Sequence, residues 1–384
     1  MRINPDVRDC ATAPIAEAWS WVRDRTSEGL IDVCQAVPAD LPAPELRNYL
    51  AEAIAAGEGA TYTDIAGIAP LREALARDIQ NRYGCDANAS DVVITAGCNQ
   101  AFCATIDGLC GTGDEVIVTL PCYFNHEMWL KIRGIKARHL PLNPQTAVPD
   151  PEQVKRLVSA RTKAIALITP NNPTGAIYSA HTIERFYGLA SEFNLALIID
   201  ETYRDFMDES AVPHRLFEQP GWRDTFVHLY SFSKAYSLAG YRVGAIVAGP
   251  AMLDSLIKIQ DCTAICAPHV GQLAALYGVR HLQQWKRDVC GELVQRAQAI
   301  KDAFNNPALD YTLVSAGAYF AYVQHPFDQP AHEVAKRLAQ EFGVICLPGS
   351  YFGSGQEQYL RLAFANLKES YFPELINRLI ASQT

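Results

Sequence analysis

The sequence predicts an α/β fold: a mostly parallel central sheet flanked by helices, with a smaller α+β domain beside it. Three observations lead there. The chain has 384 residues, more than a single core usually holds. From residue 90 onward, short apolar runs alternate with helical segments, the pattern of strands buried on both faces. After about residue 280 that texture gives way to a long helical stretch and then mixed segments.

In order, DVVIT reads as a short strand, and AGCNQAFCATIDGLC as an apolar helix with a tight glycine entrance. GDEVIVTLP is a buried strand opened by a turn, and PEQVKRLVSA an amphipathic helix with proline in its first turn. TKAIALITP is a strand, and SAHTIERFYGLASEF a helix begun by a serine cap. LALIID, TFVHLYSFS and VGAIVAG are further strands. QQWKRDVCGELVQRAQAIKDAF and AHEVAKRLAQEF read as helices of the second domain, together with TLVSAGAYFAYV, GVICLPG and YLRLAFA. The Pro-rich start, VPADLPAPEL, goes with that domain. The expected division is therefore 46–280 for the large domain and 1–45 with 281–384 for the small one.

Composition bounds the function. The formal charge is −9 and no block of consecutive Lys or Arg occurs, which argues against nucleic acid or an anionic membrane as partner. No apolar run reaches spanning length, and MRINPDVRDC is no signal peptide, so the cytoplasm is the expected location. Eleven cysteines form no CxxC pair, and several sit in apolar segments; they read as small core hydrophobes in a reducing compartment, with no metal site. Neither G-x-G-x-x-G nor a GK[ST] phosphate loop occurs.

In α/β sheets ligands collect at the carboxyl ends of strands. Those ends here read ITAGCN, TLPCY, ITPNNPTG, IIDETY and YSFSK, all rich in polar and aromatic residues. Lys234 follows an apolar strand, where a lysine is ordinarily a surface residue. Its neighbours Ser231 and Ser233, with Arg242 eight residues on, suit a phosphate ester. A lysine in a dry site loses its proton readily and can condense with an aldehyde. Asp200 ends the apolar run LALII; it can cap a helix, or hold a proton on a pyridinium nitrogen. Tyr203 can donate to a ring oxygen. Asn172 lies in TPNNPTG, which is turn chemistry in any case. Gly97 and Asn99 stand at a helix start, either a packing turn or an anion site. Tyr123 can stack on a flat ring or pack in the core. Arg361 lies inside the apolar run YLRLAFA and needs an anionic partner, internal or from a substrate.

Taken together, TAGCN, PCY, NNPTG, DETY, SFSK with Arg242 after it, and RLAFA resemble the class I/II aminotransferases, the fold-type I enzymes of pyridoxal 5′-phosphate (PLP). The resemblance runs from about Asp32 to Arg361. It implies that Lys234 carries PLP and moves the proton, and that Asp200 pairs with the pyridine nitrogen. It implies that Asn172 and Tyr203 bond the phenolic oxygen and that Tyr123 stacks on the ring. Gly97, Cys98, Asn99, Ser231 and Arg242 would hold the phosphate, and Arg361 the substrate α-carboxylate. Tyr62 resembles the tyrosine that reaches the phosphate of a neighbouring subunit, which implies a homodimer. Two positions depart from the family. Ala36 stands where glycine is common, narrowing a place close to substrate, and Cys98 replaces a usual glycine or serine.

The expected activity is ping-pong transfer of an amino group from an L-amino acid to a 2-oxo acid. Trp19, Tyr123, Phe124 and Trp129 favour an aromatic or large neutral side chain. The alternative is a carbon–sulfur β-lyase or a cyclising synthase of the same fold, separable by release of ammonia and pyruvate. A PLP-dependent transcription regulator would need an N-terminal DNA-binding domain, for which the pattern leaves no room. Intact Lys234, Asp200 and Arg361 speak against a non-catalytic binder.

Overall fold

The structure, a computed structural model, describes residues 1–23, 29–208 and 212–384. Its strands are β1 (Ile31–Asp32), β2 (Val92–Thr95), β3 (Glu115–Leu120), β4 (Lys136–Pro141), β5 (Thr162–Ile168), β6 (Ala196–Asp200) and β7 (Phe226–Ser231). Then follow β8 (Gly244–Val247), β9 (Thr312–Gly317), β10 (Phe320–Gln324), β11 (Val344–Ile345), β12 (Leu347–Pro348) and β13 (Tyr359–Leu362). Seven form the central sheet in the order β2-β8-β7-β6-β5-β3-β4. All its pairings are parallel except those of β8, which runs antiparallel to both β2 and β7.

Strand periodicity explains why this sheet is covered on both faces. Ile117, Ile165, Leu167, Leu197 and Ile199 enter one buried cluster, with the helices Ala69–Tyr83, Ala180–Glu192 and His269–His281. Their neighbours Val116, Val118, Ala164, Ala166 and Ile198 enter another, with the helices Cys98–Leu109 and Pro250–Ala264. Successive side chains point to opposite faces, so an unbroken apolar run is what a two-sided strand requires. The same alternation sets Asp200 on the face of Ile198, toward the helix that starts at Cys98.

A second, antiparallel sheet runs β12-β13-β10-β9, and β1 pairs in parallel with β11. Its apolar face packs with Val334 and Leu338 of the helix Ala331–Phe342, Ile300 of Gln283–Ala303, and Leu375 of Phe372–Ala381. One expected element differs. PEQVKRLVSA forms a 3-10 turn (Pro151–Gln153) and one α turn (Val154–Leu157), not an amphipathic helix. Only Val154 is buried there, and β5 must begin at Thr162, so no apolar face extends far enough to sustain more turns. No helix among the described residues is long and apolar enough to cross a membrane, and no cluster of potential metal ligands occurs among them.

Candidate active site

The carboxyl ends of β5, β6 and β7 and the start of the helix Cys98–Leu109 open on one cavity of about 300 Å³. Of the residues singled out from the sequence, the cavity is lined by Ala36, Cys98, Asn99, Tyr123, Asn172, Asp200, Tyr203, Ser231, Lys234, Arg242 and Arg361. Gly97 lies directly behind the lining. Its φ of +87° is open to glycine, and an added Cβ would run into the Arg242 guanidinium. Tyr62 is elsewhere: it is 75% exposed and does not line this cavity.

Lys234 sits in a single helical turn (Phe232–Ala235) capped by Ser231, whose hydroxyl accepts from the Ser233 N–H. Its Nζ donates to the Ala36 carbonyl. Burial lowers its pKa to about 8, with Arg242 and Arg361 adding repulsion and Asp200 opposing them. Asp200 is 6% exposed. Its Oδ1 accepts from the Thr202 N–H at 3.0 Å, and the Cys98 thiol hydrogen-bonds to it. Burial raises its carboxyl above the usual range, while those hydrogen bonds act the other way.

His126, which the sequence reading passed over, lies behind Asp200. Its Nε2 is 3.6 Å from Asp200 Oδ2, and its ring stacks on Phe102 with centroids 3.6 Å apart. Burial lowers its pKa to about 3, so it is neutral and the contact is no ion pair. The available signal was a polar side chain one helical turn beyond Tyr123. Ser233, noted beside Lys234 in the sequence, lines the cavity as well, and Thr202 does so unforeseen, as do Ile15 and Val37 from the N-terminal segment.

The TPNNPTG loop divides its two asparagines by task. Asn171 is internal: its Oδ1 accepts from Thr174 N and Oγ1, and its Nδ2 donates to Tyr178 Oη. Asn172 is left facing the cavity, where its Oδ1 accepts from Arg361 Nη1 at 3.1 Å. Arg361 is 2% exposed, with Nη2 donating to the Cys34 carbonyl and Nε without a partner. No carboxylate among the described residues pairs with it, and burial lowers its pKa. Tyr203 is buried against Tyr319 and Phe320. Tyr123 Oη approaches Asn99 Oδ1 at 3.5 Å and accepts from Asn125 Nδ2 at 3.0 Å.

A buried amine, a buried carboxylate and two guanidinium groups around one cavity are a donor set for an aldehyde cofactor bearing a phosphate and a basic ring nitrogen. The chain matches the family described as aminotransferase class I and II over residues 28–379. It belongs to that family: it is an aminotransferase, and its cofactor is PLP. It is 29% identical to the aspartate aminotransferase of Thermotoga maritima, over 89% of this chain and 88% of that one. It is also 29% identical to the aromatic aminotransferase ISS1 of Arabidopsis thaliana, over 80% and 78%. The structure of YbdL from Escherichia coli, described as having a methionine aminotransferase function, superposes with a TM-score of 0.89 at 25% identity, covering 99% of this chain and 100% of that one.

Proposed function

We propose that the enzyme moves the amino group of an L-amino acid with an aromatic or large neutral side chain to a 2-oxo acid, by a ping-pong course. The observation that carries this reading is Arg361, a buried guanidinium with an unpartnered Nε at a cavity whose lining includes the apolar Ile15, Val37 and Phe124. A buried cation without a carboxylate calls for an anion from outside. The other cations of the lining are Lys234 and Arg242, and Arg242 lies against Gly97, away from Arg361's partners Asn172 and Cys34. Among the described residues, the lining thus offers no further cation for a side-chain carboxylate.

Bound PLP supplies an aldehyde that takes up the amino group and a ring that draws electrons from the α-carbon. Lys234 is proposed to hold it and then, as a neutral amine, to move the α-proton. Asp200, dry and hydrogen-bonded, would keep the proton on the pyridine nitrogen. Asn172 and Tyr203 would bond the phenolic oxygen, and Tyr123 would stack on the ring. Gly97, Cys98, Asn99, Ser231 and Arg242 would hold the phosphate, where helix-start N–H groups favour an anion. Arg361 would clamp the substrate carboxylate beside Asn172, with Ala36 narrowing the wall. The second 2-oxo acid would use the same contacts in reverse.

The proposal includes a homodimer in which Tyr62 reaches the partner subunit's phosphate, and the division into 46–280 and 1–45 with 281–384. A cytoplasmic location goes with it, supported by eleven free cysteines. A screen of amino donors against pyruvate and 2-oxoglutarate tests the substrate class. Aromatic and large neutral donors are expected to exceed aspartate in kcat/KM. Faster turnover with aspartate, or release of ammonia and pyruvate, would defeat the reading.

A further inference from the structure

A cavity of about 490 Å³ outside the active site lies between the C-terminal half of the helix Ala69–Tyr83, the start of Gln283–Ala303 and the loop after β6. Its charged lining residues are Arg77, Asp78, Arg82, Asp205, Arg280 and Lys286, four cations against two anions in a chain of net charge −9. Both carboxylates are already committed inward. Asp78 accepts from the buried Arg204 and lies 3.9 Å from Lys286 Nζ. Asp205 holds Lys286 Nζ at 2.9 Å and accepts from Tyr230 Oη at 2.8 Å. Arg204 and Lys286 thus neutralise the two acids; of the remaining charged lining residues Arg82 is engaged, donating to the Asp208 carbonyl at 3.0 Å, which leaves Arg77 and Arg280.

Arg77 and Arg280 are exposed and take part in no ion pair among the described residues. Guanidinium forks converging on a hollow of small-molecule size match the geometry of oxyanions. We propose that this cavity is a second binding site, for a small oxyanion of two or more charges, phosphate- or carboxylate-bearing. Its floor adjoins the catalytic segments. Arg204 and Asp205 follow Tyr203 in the chain, and Lys286 lies 5.7 Å over the ring of Tyr236, two residues beyond Lys234. An occupant therefore sits one layer of side chains behind the site.

The holoenzyme is titrated with inorganic phosphate and, separately, with citrate. Calorimetry and the emission of Trp285, which neighbours Lys286, report binding. At least one anion is expected to bind, and the one that does names the source. In the Arg77→Gln/Arg280→Gln variant its Kd should rise by at least about tenfold, the loss expected for charge-assisted contacts, with kcat, KM and cofactor absorbance unchanged. Arg77→Lys/Arg280→Lys should keep part of the affinity. Three results overturn the proposal: no binding of either anion at millimolar concentration, equal affinity in the glutamine variant, or binding that Arg361→Lys abolishes, which would assign the anion to the catalytic pocket.

Discussion

Burial sets the chemistry of Lys234. With its pKa lowered to about 8, the amine is mostly charged below that pH and neutral above it. Reductive labelling of the cofactor-free protein by PLP and borohydride should therefore speed up about tenfold per pH unit below pH ~8 and level off above it. A rate still climbing toward pH ~10 would mean an ordinary exposed lysine. Arg361 is a different case, a cation that pairs with no carboxylate among the described residues. Arg361→Lys should retain PLP yet raise KM for amino acids and 2-oxo acids alike, on the order of 10- to 100-fold, because an ammonium cannot make the paired bonds of the fork. Simple amines should be indifferent to the change. Soluble enzyme with wild-type KM values would make the arginine purely structural. Such residues were legible in the sequence because each ends or interrupts an apolar run. His126 and Ile15 were not, because nothing local tells which polar or apolar side chain a distant strand end will face.

At the scale of elements, the loop after β5 shows how closely backbone segments meet. Gly175 has φ +72°, and a Cβ on it would stand 2.5 Å from Gly317 N and 2.6 Å from Phe320 O, in the β9–β10 hairpin. Gly188, exposed inside the helix Ala180–Glu192, has nothing within 4 Å of such an atom. The two should respond oppositely in urea unfolding. Gly175→Ala should cost about 2–4 kcal/mol through strain and clash. Gly188→Ala should add about 0.5–1 kcal/mol through helix propensity. Equal effects would show that the loop does not press on the hairpin. Six of the seven strands of the central sheet and their order in the chain could be read from period and punctuation; the edge strand β4, KARHLP, was missed because only Leu140 in it is buried and it carries no apolar run. The antiparallel insertion of β8 between β2 and β7 could not, since a short run such as GAIV carries no sign of direction or neighbour. For the same reason the pairing of β1 with β11 was invisible beyond a general association of the two ends.

At the scale of the whole molecule, the exposed ring of Tyr62 is the feature the single chain leaves without use. In the proposed dimer, Tyr62→Phe should lower PLP affinity on the order of 10- to 100-fold, one hydrogen bond to a charged group being worth about 1.5–3 kcal/mol. Dialysis against free cofactor measures this, and light scattering should show the dimer unchanged. Full activity in a monomer would remove the shared site.

The pairing of β1 with β11 also has a consequence for how the protein is made. Cys34 and Ala36 meet Arg361 and Lys234 through their carbonyls, and the strand just before them is anchored by Val344 and Ile345. The segment at residues 31–36 must wait for residues 344–345 to be made before it has a place. Long-range closures of this kind are slow, and segments awaiting them stay exposed. Nascent chains arrested before Val344 should therefore leave residues 31–34 open to protease, and chains that include β11 should protect them.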